Sequence, residues 1–359
     1  MRIAVYVGPD HPLSVEDAEG LEPGPEDVVV DVGASGVCHS DLSVSRGLGG
    51  RRGPTVLGHE GAGRVAHVGA AVSRVSVGDR VIASFVPACG RCWWCLNDQS
   101  NLCATGSVRS AVMRWRRSDG SEANAMSGLG TFSEQMTVHE SSVVKVETDL
   151  PDDQIALIGC GVTTGVGAAL FTAGVKAGET VAVIGCGGVG QSVIQGARAA
   201  GAGRIIAVDP QQLKRDTALT LGATDAVDPS NGDPVEGVRE ITDGRGVDYA
   251  FEVVGHPDLL LQAFRMARRG GAAVAVDMPQ ADATMTLPAF PLFYDEKRLL
   301  GCFYGSAQVR RDFQRILDLV ANGRLDIAAM VTRHCRLDGV NDAFRAMEAG
   351  EVIRTVITH

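Results

Sequence analysis

A glycine-rich turn between two regular elements constrains the fold of this chain more than any other feature. It reads Gly185-Cys186-Gly187-Gly188-Val189-Gly190, with a strand-like stretch at 181–184 before it and a helical pattern from about Gly190. Glycines at this spacing let backbone N–H groups and the positive end of the helix approach a pyrophosphate. A tight turn that binds no ligand is the alternative interpretation.

An acidic residue at the end of the next strand-like stretch favours the ligand-binding interpretation. Asp209 lies nineteen residues after Gly190, where a carboxylate can accept both hydroxyls of an adenosine ribose. The same negative charge repels the 2′-phosphate of NADP. The sequence therefore predicts a dinucleotide site with NAD as its cofactor.

Strand-like and helical stretches alternate from about residue 175 to residue 300. Because parallel strands need long crossover connections, this alternation predicts an α/β fold with helices on both faces of a parallel sheet. Residues 1 to about 150 instead contain short alternating stretches and turns, which predicts a β-rich domain. The length of 359 residues fits about two domains, and breaks are expected near 160 and 302.

Composition excludes several classes of partner. The net charge of -10 argues against nucleic acid and anionic lipid, both of which need a broad positive field. Two stretches without charge, 154–175 and 180–197, are interrupted by glycine and polar residues, which favours buried α/β core over membrane spans. Without an export signal the expected compartment is the cytoplasm, where nine cysteines indicate metal ligands and free thiols.

Four cysteines lie close together in one loop. The separations are two, two and seven residues, which allows four thiolates to surround a tetrahedral Zn²⁺ with no open position. Such a site is structural, and the loop is expected to hold its shape only when metal is bound. An iron–sulfur centre, a redox pair and four unrelated buried cysteines are the alternatives. The four are Cys89, Cys92, Cys95 and Cys103.

A second set of metal-ligand residue types is scattered along the chain. Cys38, His59 and Cys160 are each ambiguous alone, because a single cysteine or histidine is usually a structural residue. Together they offer two thiolates and an imidazole, and three protein ligands leave one zinc position for water or substrate. Asp41 or Glu60 is expected to hold the far ring nitrogen of His59.

These motifs together resemble those of a known family. The stretch Gly58-His59-Glu60-Gly61-Ala62-Gly63, followed by Gly69 and Val72, matches the zinc signature of the medium-chain alcohol dehydrogenases, and the four-cysteine loop matches their structural zinc lobe at 89–103. The resemblance covers the whole chain. It implies a GroES-like β-barrel catalytic domain at 1–161 and 303–359, and a Rossmann NAD-binding domain at 162–302.

The resemblance also implies the chemistry and its residues. It predicts hydride transfer between NAD and an alcohol, aldehyde or ketone, with one catalytic and one structural zinc per chain. Cys38, His59 and Cys160 would bind the catalytic zinc, and Ser40 would pass the proton toward solvent. Asp209 and Lys214 would contact the adenosine ribose, and His39 and Arg354 would contact the pyrophosphate. Thr164, Val253 and Val276 would contact the cofactor near its nicotinamide, and Phe85 would line the substrate pocket.

Two departures and two rival functions remain open. Ser43 stands where many relatives have a relaying histidine, which leaves the outer part of the proton path open. Asp277 stands where relatives usually have a small residue beside the nicotinamide. The rivals are a dehydrogenase of a hydroxymethyl-thiol adduct, including a variant with permanently held NAD, and a non-catalytic zinc-stabilised NAD sensor.

The stretch 105–129 resembles the insertion of dimeric relatives, which predicts a homodimer. It surrounds Trp115 with arginines that would either grip an anionic substrate or, as the favoured interpretation, lie in a solvated surface loop. These arginines are Arg109, Arg114, Arg116 and Arg117.

Overall fold

The computed structural model describes residues 1–9, 11–47, 53–105 and 112–359, and it divides into two compact units. The first contains Met1–Cys160, Gln308–Leu317 and Val331–His359, and the second contains Gly161–Ala307 and Asp318–Met330. This division differs from the predicted domain limits at residue 161, at 303–307 and at 318–330. The assignment of 318–330 to the second unit has a local cause, because the Gln195 side-chain amide bonds both the N–H and the carbonyl of Asp326.

The described strands are distributed over both units. They are β1 (Arg2–Tyr6), β2 (Ser14–Gly20), β3 (Asp27–Val37), β4 (Thr55–Val56), β5 (Glu60–Val68), β6 (Arg80–Ala83), β7 (Met113–Arg117), β8 (Glu122–Ala125), β9 (Gln135–His139), β10 (Val143–Lys145), β11 (Thr180–Ile184), β12 (Arg204–Val208), β13 (Asp225–Val227), β14 (Val247–Glu252), β15 (Ala267–Ala275), β16 (Arg298–Gly301), β17 (Val331–Cys335) and β18 (Arg354–Thr358).

The helices are concentrated in the second unit. Several begin at residues that cap free N–H groups, as where the Asp233 carboxylate accepts the N–H of Val235 and Pro234 occupies the first turn. They are α1 (His39–Ser45), α2 (Trp93–Leu96), α3 (Asp152–Ile155), α4 (Gly161–Gly167), α5 (Gly188–Ala200), α6 (Gln212–Leu221), α7 (Pro234–Ile241), α8 (Pro257–Met266), α9 (Ala289–Tyr294), α10 (Val309–Ala321) and α11 (Val340–Glu348). A π-helical turn, Ala168–Ala173, follows α4.

The first unit combines a closed barrel with a larger sheet. The barrel order is β1-β2-β7-β8-β4, and the sheet order is β10-β6-β5-β3-β18-β17, with β9 also pairing with β3. In the sheet, Gly36 of β3 pairs with Glu60 of β5, and Val37 pairs with Thr355 of β18. Strand register therefore brings three segments distant in sequence to one place, which is where the metal-ligand residues begin.

The favoured interpretation of 105–129 as a surface loop is wrong for the residues that the structure describes. Met113–Arg117 and Glu122–Ala125 are barrel strands, and Trp115 is 1% exposed in the barrel core beside Ile3 and Val56. Arginines on either side of the tryptophan obscured the strand pattern in the sequence. Arg109 lies outside the described residues.

The second unit is a six-stranded parallel sheet with helices on both faces. Its order is β13-β12-β11-β14-β15-β16, the doubly wound arrangement of dinucleotide-binding domains. Val181 and Val183 pack into one apolar core, and Ala182 and Ile184 pack into another, so β11 is covered on both sides. The prediction of an α/β fold with a barrel and a doubly wound sheet is confirmed.

No single helix among the described residues is both long enough and apolar enough to cross a membrane. One bent pair, Asp152–Gly159 with Gly161–Ala173, meets the length and composition criteria only when the two helices are counted together.

Candidate metal centres and dinucleotide site

The three scattered metal-ligand residues converge in the first unit. The ligand atoms of Cys38, His59 and Cys160, together with a Glu60 carboxylate oxygen, all lie within 4.8 Å of one another. Cys38 follows β3, and His59 immediately precedes β5. This set of two sulfurs and one imidazole nitrogen fits the preferences of zinc and leaves room for a fourth ligand.

One carboxylate ties two of these segments together. Asp41 is fully buried, and its Oδ1 accepts the Nδ1–H of His59 at 2.9 Å and the Gly58 N–H at 3.2 Å. Its Oδ2 accepts the Cys38 N–H at 3.0 Å. With Nδ1 engaged in this way, Nε2 is the nitrogen that His59 presents to a metal.

Charge coupling in the cluster favours a divalent cation. A hydrogen bond with Cys160 lowers the pKa of Cys38 well below its usual range, and the same interaction raises the pKa of Cys160. Burial acts to lower the pKa of His59, but the Asp41 carboxylate outweighs it and raises that pKa well above 6.5. A thiolate and a buried carboxylate are therefore held near the imidazole, where a cation neutralises them.

Glu60 has a different partner from the one considered in the sequence. Its Oε2 accepts a hydrogen bond from the Arg354 guanidinium, and Arg354 also donates to the Val37 carbonyl at 3.2 Å. Arg354 is 4% exposed. A Cβ at Gly36 would lie 2.0 Å from Glu60 Oε2, so a glycine is required for this pair to form. The predicted pyrophosphate contact of Arg354 stays a prediction, and its observed contacts are these two.

Sequence reasoning missed this buried ion pair. The available signals are one charged residue within the mainly apolar stretch 352–358 and one acid at the start of β5. Neither signal identifies the other as its partner, because 294 residues separate them.

Two other predicted residues border the metal cluster. The Ser40 hydroxyl lies 3.8 Å from the Cys38 sulfur, close enough to belong to the same site. The Phe85 ring meets the His59 imidazole edge-on, with 5.7 Å between ring centres, and supplies an apolar wall. His39 is exposed beside Cys38.

The four-cysteine loop also brings its ligand atoms together, within 4.8 Å of one another. Backbone N–H groups point at the sulfurs, as from Arg91 to Cys89 at 3.4 Å and from Cys89 to Cys103 at 3.3 Å. The Arg91 N–H in particular lowers the pKa of Cys89 to about 5, whereas burial raises the pKa of Cys95 to about 12. Four converging sulfurs with N–H donors fit a tetrahedral zinc.

The glycine turn of the second unit is shaped for close approach of a ligand. Gly185 has a φ of +90°, and a Cβ at Gly190 would lie 1.9 Å from the Gly185 carbonyl oxygen. A Cβ at Gly187 would meet open space, so the backbone there is accessible. The α5 N-terminus that follows has no side-chain cap, which leaves its N–H groups available to an anion.

Asp209 is held at the edge of this turn. Its Oδ2 accepts the Cys186 N–H and its Oδ1 accepts the Gln211 N–H, both at 2.8 Å. Each oxygen retains acceptor capacity for a ribose hydroxyl.

The remaining predicted cofactor contacts lie in the same unit. Val253 and Val276 directly follow β14 and β15, at the carboxyl edge of the sheet where such folds bind ligands. Lys214 lies in the first turns of α6, and Thr164 lies in α4. The cofactor contacts of these residues stay predictions.

Comparison with known proteins gives matches over both units. A family model described as alcohol dehydrogenase GroES-like domain matches residues 24–148, and one described as zinc-binding dehydrogenase matches residues 188–322. An NDMA-dependent alcohol dehydrogenase of Amycolatopsis methanolica is 37% identical over 367 residues, covering 100% of this chain and 98% of the relative.

Two further proteins extend these matches. An S-(hydroxymethyl)glutathione dehydrogenase of Photobacterium damsela subsp. piscicida is 36% identical, with 99% of each chain covered. The solved benzyl alcohol dehydrogenase of Acinetobacter calcoaceticus is 29% identical with a TM-score of 0.93, covering 99% of this chain and 98% of the other.

Proposed function

Because this chain belongs to the zinc-dependent medium-chain alcohol dehydrogenase family, we propose that it transfers a hydride between an alcohol and NAD. The reverse reaction reduces the aldehyde or ketone. The observation that carries the proposal is the convergence of Cys38, His59 and Cys160, with Asp41 orienting the imidazole. We assign one zinc to this cluster and a second to the four-cysteine loop.

The side chains have separate tasks in this reaction. When bound, zinc supplies a positive charge that favours loss of the alcohol proton, and NAD supplies the hydride acceptor. Cys38 and Cys160 offset part of the metal charge, and Asp41 fixes the imidazole ring. The Ser40 hydroxyl, beside the Cys38 sulfur, accepts the released proton and gives up its own toward solvent, and the Phe85 ring packs against the hydrocarbon part of the substrate.

The arginines of the barrel strands favour an uncharged alcohol over an anionic thiol adduct. Arg114 pairs with Asp27 at 2.7 Å, and Arg117 pairs with Glu16 at 2.6 Å. Arg116 lies 3.5 Å from Glu122. These three cations are therefore neutralised within the unit. The thiol-adduct reaction remains the second candidate, because relatives with that name align along the whole chain.

The test is a panel of alcohols assayed with NAD, combined with metal analysis. We expect the absorbance of reduced nicotinamide to rise with primary, secondary or aromatic alcohols without added thiol. We expect metal analysis to give two zinc ions per chain. Turnover that requires glutathione or another thiol would favour the adduct. One zinc and no turnover would favour a sensor, and nucleotide released only on denaturation would indicate permanently held NAD.

Removing the charge of Asp209 is expected to relax the cofactor preference. In Asp209→Asn the amide oxygen keeps one acceptor, so kcat/KM with NAD should fall by about 10-fold to 100-fold, as for loss of a charged hydrogen bond. Activity with NADP should rise because the repulsion is removed. Initial rates with both cofactors give the ratio of kcat/KM with NAD to kcat/KM with NADP. The control is Asp225→Asn, whose carboxylate pairs with Arg204 on β12, and an unchanged ratio in Asp209→Asn would contradict the assignment.

We also propose a homodimer formed through the second unit. Strand β16 is at the sheet edge, so its outer backbone groups are available to pair with a second copy. Large apolar side chains are exposed nearby, including Phe290 at 69% and Phe293 at 80%. An identical edge strand and apolar surface can meet their own copies across a two-fold axis.

A further inference from the structure

Arg310 in the first turn of α10 and Gln308 just before that helix contact the four-cysteine loop at two points. The Arg310 Nη2 donates to the carbonyl of Ala88 at 2.7 Å, immediately before Cys89. The Gln308 Nε2 donates to the Asp98 carbonyl at 2.8 Å and to the Asp98 carboxylate at 3.1 Å. Asp98 lies three residues after Cys95. The two contacts therefore bracket the segment that carries three of the four sulfurs.

Both contacts join residues that are remote in sequence. They span 222 and 210 residues, so the loop cannot form them by local folding. Asp98 has a φ of +57°, a conformation that non-glycine residues adopt rarely, and the two Gln308 bonds hold it there.

The start of α10 is itself fixed. The Asp312 carboxylate is fully buried and accepts the Gln308 N–H at 2.8 Å. It also pairs with Arg311 and Arg315, which offset its charge. The side chains that reach the loop consequently project from a stationary helix end.

Arg310 also supplies charge where the loop needs it. Four thiolates around one divalent ion carry a net negative charge. A Cβ at Gly90 would lie 3.8 Å from Nη1, so the guanidinium lies over the backbone between the first two cysteines.

We propose that Gln308 and Arg310 act as a clamp that preorganises the four-cysteine loop and retains its metal. They are positioning residues, since neither contributes a ligand atom. The inference rests on the zinc proposed for this loop. It also modifies the expectation that the loop holds its shape only with metal bound, because the two flanks are fixed independently of the ion and less ordering remains when metal binds.

The test measures zinc loss and identifies the cysteines that lose it. Purified wild type, Arg310→Met, Gln308→Ala and the double variant are mixed with a colorimetric zinc chelator. Alkylation of exposed thiols followed by mass spectrometry then locates the released site. We expect the double variant to lose the loop zinc about 10-fold to 100-fold faster, the effect typical of residues behind metal ligands. Cys38 and Cys160 should stay protected.

Two controls separate the clamp from general loosening of the protein. Arg345→Met removes an exposed cation paired with Asp342 within α11, away from the clamp, and it should leave zinc release unchanged. Arg310→Lys keeps the charge but loses the planar fork, so it should give an intermediate rate. If the double variant fails to fold, the two single variants, each with one contact intact, decide the question.

Release at the wild-type rate from Arg310→Met and Gln308→Ala would overturn the clamp, as would equal loss of protection at Cys38. Failure of the underlying zinc assignment has a different signature. In that case wild type itself would contain a single zinc, and its Cys89–Cys103 thiols would be alkylated at once.

Discussion

Replacing His59 with alanine should abolish turnover while leaving the cofactor site intact. The variant loses one of three ligands and also leaves the Asp41 carboxylate without its imidazole partner. Lewis-acid assistance contributes several kcal/mol to the barrier, so kcat should fall by at least about 1,000-fold. The glycine turn and Asp209 belong to the second unit, and the dissociation constant for NAD should change by less than about twofold.

Three measurements check this expectation. Nicotinamide absorbance at saturating alcohol gives kcat, and calorimetric titration gives the affinity for NAD. Metal analysis should show that the zinc content falls from two ions per chain to one. The matched control is His67→Ala, because His67 is an exposed residue on the same strand, β5. Wild-type turnover in His59→Ala would rule out a catalytic metal at this cluster.

The second large effect, a loss in the free energy of unfolding, is expected at the buried pair of Glu60 and Arg354. Arg354→Met leaves a buried carboxylate without its counter-charge, and removing one partner of such a pair costs about 3–5 kcal/mol. Burial already acts to raise the pKa of Glu60, and loss of the guanidinium removes the opposing influence. The double variant Glu60→Gln, Arg354→Met should recover much of the loss because no isolated charge remains.

Urea unfolding followed by tryptophan fluorescence measures this effect in the relevant unit. The protein has three tryptophans, Trp93, Trp94 and Trp115, and all of them belong to the first unit. The control is Arg345→Met, which removes an exposed cation paired within α11 and should change stability by no more than about 0.5 kcal/mol. Equal urea midpoints for Arg354→Met and Arg345→Met would contradict the prediction.

The second unit was predictable because its signals are local. Strand, glycine turn, helix and acid follow one another within 30 residues, and the observed β11, α5 and β12 lie where this pattern indicates. Hydrophobic periodicity alone determines such elements, and the handedness of their connections limits the sheet order. The predicted stretch 181–184 lies within the observed β11, Thr180–Ile184.

In the first unit, the convergence of Cys38, His59 and Cys160 was predictable, but the ion pairs were not. Each of the three residues is ambiguous alone, and the resemblance to a family is what grouped them. Arg114 gives no comparable signal, because its partner Asp27 is 87 residues away and any exposed acid is equally plausible. Strand register decides that pairing, and register is a property of the folded barrel.

The position of Arg354 near the end of the sequence has a consequence for how the protein is synthesised. The ribosome delivers this residue 317 positions after Val37, the strand end whose carbonyl it contacts. Until then the nascent chain holds Glu60 without a counter-charge and β3 without β18, whereas the contiguous stretch Gly161–Ala307 is already complete. The first unit therefore completes its sheet only after both segments of the second unit have been synthesised, and a stalled or clipped chain would leave the Glu60–Arg354 pair unformed.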